Sequence, residues 1–493
     1  MKKIMTLFLA VCMLFCITAC KTSEEKETDK GIKEENETLK VYCYSQNNLN
    51  PLIAANEGNM QMLRLIFESL VQCDETQKAK LQLASSCSVS SDGIVWGVEL
   101  KKGIKWHDGS DFTARDVIYS YEYVMQNPET SSYAINVANI QRINFISDYE
   151  IAFVLKTPQA NFINLLEVPI VKDGQAKKSS LIGTGPYRYK ETVNKIIHLT
   201  ANADWHGGKL GVKNIQVKIL PDKETVTYAY VSKEIDMVSV NSGQDMGKYS
   251  SNADNLIIDY PSNVFTFISV NTATEPLSNR MFRKAIAHSI DKETINSEVL
   301  LSHGSVANSC MNTNWWVYNP GVTNYVFDKE KAVKALEVVK ENMKIAPVNL
   351  MVNDDNPDKR TVAEMIKENL KANGIVVNVE YVDWATFTER VATGNYQMYL
   401  GSIKYGADIN PQYVVTNPSP ELQTLFADLQ KQTTDDGILG KYFEIQEKIA
   451  LELEIIPLYF DASAVMYNKR ITGDFTPCRI NMFDGISAIK LGN

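Results

Sequence analysis

The chain is poor in histidine, in positive charge and in the short motifs that carry catalysis. Five histidines in 493 residues, none in ligand spacing, leave little for direct metal capture. Asp and Glu outnumber Lys and Arg by 59 to 50, a formal net charge of −9. No basic cluster exceeds Lys101-Lys102 or Lys177-Lys178, so a nucleic-acid footprint is missing. HExxH, GxSxG and the P-loop lysine motif are all absent, which removes the usual carriers of hydrolytic and nucleotide chemistry. His206 stands alone, and an Asp-Gly turn and a helix cap account for Asp108 and Asp116. No catalytic residue and no cofactor is expected; carboxylates paired from distant positions are the enzymatic alternative left open. Cysteine is equally short of pattern. Cys43, Cys73, Cys87, Cys310 and Cys478 lie in the body without CxxC spacing, an odd set for which no disulfide is assigned. After residue 19 no apolar run is long enough to span a bilayer.

What is present begins at the N-terminus. Lys2 and Lys3 precede an apolar stretch over residues 4–19, and Cys20 follows Ile17-Thr18-Ala19. A basic start and a short apolar run read as a secretory signal. The four residues before and at Cys20 resemble a bacterial lipobox, which implies cleavage after Ala19 and lipidation of Cys20, since multiple acyl chains anchor firmly. Removing Lys2 and Lys3 takes the net charge from −9 to −11. Residues 21–39 are polar, charged and free of aromatics, the composition of a disordered tether. The remaining length exceeds what one core supports, so at least two lobes are expected.

Periodicity places elements along the body. Residues 39–41 open a strand, and residues 58–71 carry helical spacing at Met62, Leu63, Ile66, Phe67 and Leu70. Residues 94–100 read as a strand, with Thr113 and Asp116 as a capping box for a helix over 114–125. Ile215, Val217 and Ile219 alternate as in a half-buried strand, and residues 225–233 form a short helix. Residues 264–270 read as a strand buried on both faces, and Ser278 is expected to cap the next helix. A strand over 348–352, a helix over 360–373 stopped by Gly374, and a strand over 375–382 imply a parallel pair with a right-handed crossover. A strand over 396–403 and a long helix over 438–454 follow. Ligands of such sheets bind beyond the carboxyl ends of the strands, which makes the loop 404–411 a candidate ligand wall.

Three blocks then resemble one family. LASSCSVSSDGIVWGVELKKGIKWHDGSDFTARDVIYSYEYV (83–124), IGTGPYRYK (182–190) and SVNTATEPLSNRMFRKAIAHSIDKE (269–293) are similar, in order and spacing, to the extracytoplasmic solute-binding proteins of the oligopeptide, dipeptide and nickel ABC importers. Ile456-Pro457-Leu458-Tyr459 fits as well. The resemblance implies an α/β, two-lobed periplasmic-binding-protein-like fold with the ligand enclosed between lobes. Lobe 1 would span 40–268 with a subdomain near 56–181, lobe 2 would span 272–466, and 467–493 would return to lobe 1. The hinge crossings would fall near Val270-Asn271 and Met466-Tyr467. The partners implied are a peptide or other small solute and the importer's permease subunits, with the membrane reached through the lipid; a monomer is expected.

The family's peptide binders hold the ligand's α-amino group with an aspartate in a Gly-Trp-x-Ala-Asp-Tyr-like segment. Here KYGADINPQY (404–413) matches, and Asp408 takes that aspartate's position. Lys404 or Tyr405 replaces the tryptophan, and Ile409 replaces the aromatic. A buried ammonium needs a paired anion. Main-chain pairing along the ligand would use Tyr44, Ser45, Gln46 and Asn47 and, opposite, Tyr405, Gly406 and Ala407. Trp384, Trp315 and Trp316 are candidates for side-chain pockets, with core packing as the alternative for each. The family also includes nickel-chelate, haem and oligosaccharide binders, and the three tryptophans leave a sugar platform open. A sensor built on the same fold is the third alternative.

Overall fold

The computed structural model describes residues 37–45, 49–54, 56–176, 181–249, 254–354 and 356–492. Cys20, residues 21–36 of the expected tether, and Gln46 and Asn47 lie outside the described residues. The end of that 21–39 segment is not tether, because Thr38 and Leu39 are buried in the strand Thr38–Tyr44.

A six-stranded mixed sheet organises the second half. Its order is Ser305–Val306, Ile455–Phe460, Val264–Val270, Met398–Lys404, Val348–Asn353, Val377–Val382. Val348–Asn353 and Val377–Val382 run parallel, joined by the helix Pro357–Ala372, as the apolar periodicity predicts. The Val264–Val270 strand feeds both faces: Phe265 and Phe267 enter one core, Ile268 and Val270 the other. This double burial is why its sequence does not alternate.

The first half carries a four-stranded sheet, Thr38–Tyr44, Asn214–Leu220, Ile196–Ala201, Tyr187–Val193. A second four-stranded sheet is antiparallel throughout and includes Val95–Leu100. The helix Ala114–Gln126 packs near it, and Asp116 accepts from the Thr113 N–H at 2.8 Å in the expected cap. Asp116 also accepts from the Trp106 indole and the Asp173 N–H, so the carboxylate is structural.

Three further expectations change. The chain does not switch sheets at Val270-Asn271 or Met466-Tyr467. Val264–Val270 already belongs to the six-stranded sheet, while Ala464–Asn468 lies between Met237–Val240 and Asn255–Asp259 in a three-stranded sheet of the first half. The crossings are residues 260–263 and 461–463, tied together by the Tyr260 N–H to the Ser463 carbonyl at 2.9 Å. An apolar strand looks the same from either sheet, so composition cannot say which sheet claims it. Second, the helix predicted over 58–71 stops at Leu63. The carbonyls of Leu65 and Ile66 instead accept from the N–H groups of Tyr187 and Gly185, both at 2.9 Å. Third, Asn279, not Ser278, caps Arg280–Ser289, its side chain accepting from Met281 N–H.

The second change explains the glycines of the Gly-Thr-Gly-Pro-Tyr segment. A Cβ on Gly183 would overlap the Ile66 carbonyl oxygen, and one on Gly185 would meet it at 2.7 Å. Backbone cannot yield as a side-chain tip can. Gly183→Ala is therefore expected to destabilise by at least about 1–3 kcal/mol, read as a lowered Tm. Gly440→Ala, in open space on the helix Asp435–Glu452, should leave the Tm unchanged or raise it.

Candidate functional site

Residues 405–410 leave the carboxyl end of Met398–Lys404 and turn at once into the space between the halves. Two asparagines from the first half meet the loop there. Asn161 Nδ2 donates to the Asp408 carbonyl at 3.2 Å and to the Tyr442 hydroxyl at 2.8 Å. Asn164 Nδ2 bridges the carbonyls of Gln77 and Ala407 at 2.9 and 3.0 Å. Trp316 adds an N–H bond to the Thr76 carbonyl at 3.0 Å, and Lys78 pairs with Asp435 at 2.7 Å. The loop is thus a junction between the halves. Asn164→Ala would leave the Ala407 carbonyl unpaired across the junction when the halves are closed, whereas its bond to the Gln77 carbonyl lies within the first half. It is expected to weaken solute binding roughly tenfold with little change in the core, a shift that titration calorimetry would read.

Asp408 sits inside this junction, 6 % exposed. Its Oδ2 accepts from the Tyr413 hydroxyl at 3.3 Å, while Oδ1 is buried without a hydrogen-bond partner. Burial raises the Asp408 pKa above the ordinary aspartate value, against the opposing pull of the Tyr413 hydrogen bond. The next residue, Ile409, is fully buried at φ +43°, a left-handed conformation unfavourable for a β-branched side chain. Strain of this kind persists where surrounding contacts enforce it and is frequent at binding sites. Nothing in the sequence announces it.

The other predicted site residues divide. Tyr405 is core: its ring lies edge-on to Trp315 with centroids 5.2 Å apart, and its hydroxyl donates to the Cys310 carbonyl at 2.7 Å. Trp315, 2 % exposed, also packs on Phe460, so it belongs to the core and not to a ligand pocket. Trp316 is half-buried, with Lys78 Nζ over its ring at 5.1 Å. Trp384 is 58 % exposed at the first turn of Trp384–Thr393, stacked on Phe387. Tyr44 lines a cavity, and Ser45 is exposed with its N–H on the Leu220 carbonyl at 2.8 Å.

The main-chain pairing expected along a ligand meets groups already in use. Tyr44 N–H donates to Asn59 Oδ1 at 2.7 Å, and Tyr44 C=O accepts from Asn59 Nδ2 at 3.2 Å. Asn263 occupies Tyr405 in the same two-sided way. Ala407 C=O takes the Asn164 bond described above. A ligand strand would have to displace these bonds, each about as good as the one replacing it. Gly406 makes its close approach to the Asp408 side chain, where an added Cβ would lie 3.0 Å from Oδ1.

Two cavities adjoin: the smaller opens between the halves, and the larger is lined by residues of the first half. One, of about 190 Å³, is lined by Glu57, Tyr260, Asn263, Lys404, Asp461 and Arg479. Its neighbour, of about 380 Å³, is lined by Tyr42, Tyr44, Glu57, Asp222 and Asn241, and the two share Glu57 and Asn241. Asp461 was not among the residues singled out from sequence, having no motif around it. Burial pushes its carboxyl up to about 7, Lys359 and the Thr266 hydroxyl opposing the rise and Asp358 adding to it. Among the described residues no cluster of three or more His, Cys, Asp or Glu could hold a metal ion. None of their helices is long and apolar enough to cross a membrane. The five body cysteines are free thiols, four of them buried.

Two halves joined by paired crossings, with a polar cleft between them, define a two-lobed solute-binding fold. HbpA2 from Haemophilus parasuis shares it with a TM-score of 0.80 at 20 % identity, over 92 % of this chain and 100 % of that one. The oligopeptide-binding protein AppA from Bacillus subtilis, solved with a nonapeptide, gives a TM-score of 0.63 at 21 % identity, over 92 % and 99 % of the two chains. In sequence the same Bacillus subtilis protein is 24 % identical, over 96 % of each chain. Residues 78–420 match the middle segment of the bacterial extracellular solute-binding proteins, family 5, and the chain belongs to that family.

Proposed function

We propose that the chain captures short peptides outside the cytoplasm and delivers them to the permease subunits of an ABC importer. The reading rests on Asp408: a carboxylate enclosed at the junction of the lobes, one oxygen unpartnered, in the register of the family's amine anchor. An unpaired buried carboxylate is costly, and an incoming ammonium both neutralises it and fills its hydrogen-bonding capacity. The likeness to an oligopeptide-binding protein supports the same class of solute. Closure would turn on the crossings at 260–263 and 461–463 and bring Asn161 and Asn164 onto the 407–408 carbonyls. Lipid on Cys20 would hold the protein to the outer face of the cell membrane, with residues 21–36 as tether, and it would act as a monomer without a catalytic step.

The test is to purify residues 21–493 and release whatever co-purifies for native mass spectrometry and sequencing. Peptides of a narrow length range carry the proposal. A glycan, haem or metal chelate in the cleft would keep the family and end the peptide reading.

A further inference from the structure

The smaller cavity is not lined by Asp408, and its charges form a separate pattern. Lys404 ends the strand Met398–Lys404 and pairs in register with Val264. Asp461 follows the strand Ile455–Phe460, and its N–H donates to the Val264 carbonyl at 2.9 Å on the other side. Lys404 and Asp461 therefore flank one residue of the central strand. Their backbones stand two strand spacings apart, roughly 9–10 Å, and both line the same cavity of about 190 Å³.

Neither charge is neutralised by an ion pair among the described residues. The hydrogen bond to the Asp461 carboxylate is a long one from Thr266 Oγ1 at 3.5 Å. Lys404 is exposed and, among the described residues, has no carboxylate within ion-pair distance. The other charged groups on this wall are engaged. Arg479 donates to Glu167 at 2.7 Å and to Gln77 at 3.1 Å, and Glu57 accepts from Asn241. Behind Asp461, Lys359 and Asp358 open the helix Pro357–Ala372; burial outweighs both in raising the Asp461 pKa, with Lys359 opposing the rise more than Asp358 adds to it.

We propose that this cavity takes a dipolar end of the solute, its cation at Asp461 and its anion at Lys404. A peptide whose last residue is basic has this form: side-chain ammonium or guanidinium and terminal carboxylate on one residue. This assignment rests on the peptide reading and adds a preference to it. Asp408 retains the opposite, amino end.

The probes are Ala-Ala-Lys, Ala-Ala-norleucine, which lacks the side-chain cation, and the C-terminal amide of Ala-Ala-Lys, which lacks the anion. Calorimetric titration into residues 21–493 should show each altered peptide about tenfold or more weaker than Ala-Ala-Lys. The norleucine penalty should vanish in Asp461→Asn, and the amide penalty in Lys404→Gln. Because burial lifts the Asp461 carboxyl to about 7, the norleucine penalty should also shrink as the pH falls below that value, where the acid is neutral. Three peptides binding within about twofold of one another in the unaltered chain, or penalties that persist in both variants, would overturn the assignment while leaving the peptide reading intact. Failure of every peptide to bind would remove both.

Discussion

Glu167→Ala is expected to lower the thermal midpoint more than any other single substitution of a polar residue described above. Glu167 is 3 % exposed. Its Oε2 accepts from Arg479 Nη2 at 2.7 Å and its Oε1 from the Cys73 N–H at 2.9 Å. Arg64, itself buried, donates to the Glu167 carbonyl at 3.3 Å. Removing the carboxylate leaves two guanidinium groups in a dry setting without their anion. Breaking a buried pair in this way costs about 3–5 kcal/mol. A double variant, Glu167→Gln with Arg479→Met, should lose less than the two single changes together, because no charge is then stranded. The pH dependence has a definite sign. Burial alone would raise the Glu167 pKa, yet Arg479 and Arg64 hold it below the ordinary glutamate value. A depressed carboxyl contributes its full stability above its unfolded pKa and loses it as the pH falls through the folded one. Thermal unfolding followed downward from neutrality should therefore show an acid limb that flattens in Glu167→Gln. An unchanged limb would mean that another carboxylate governs it. Arg479 also walls the smaller cavity, so this ion pair joins the stability of the first lobe to the shape of the cleft.

The second large effect separates binding from folding. Asp408→Asn is expected to reduce the affinity for a free peptide by about 100-fold or more, the loss of a charge-assisted contact made away from water. The ligand-free chain should be no less stable, since its Asp408 Oδ1 lies buried without a partner. The sign follows from the raised pKa. A carboxyl whose folded pKa lies above its unfolded value destabilises the fold at higher pH, and that penalty fades as the pH falls. Peptide affinity moves the other way, weakening as the pH drops through the raised Asp408 pKa, because the ammonium needs the ionised form. N-acetylated peptide should bind the unaltered protein about as poorly as free peptide binds the variant. Calorimetry on both proteins, with the Tm of each, checks the pair of outcomes; retained affinity in Asp408→Asn would remove the amine anchor.

Much of the architecture was written locally. The helix Pro357–Ala372 between two parallel strands follows from apolar spacing. The Asp116 cap follows from a three-residue interval, and the three family blocks from their order along the chain. Asp408 could be named because a short motif surrounds it. These features depend on neighbours in sequence, so sequence alone determined them. Tertiary structure decided the rest. It ended the helix at Leu63, because the carbonyls beyond it pair with Gly185 and Tyr187 more than a hundred residues away. It assigned Val264–Val270 to the second sheet, moving both crossings, because a strand's partners are chosen by packing and not by its composition. It turned Trp315 and Tyr405 into core, for an aromatic reads alike whether it faces a ligand or another ring. It also placed Lys404 and Asp461 on either side of Val264, though they are 57 positions apart in the chain. No local pattern encodes that meeting; it exists only where the central strand of the sheet brings its two neighbours to the mouth of the cleft.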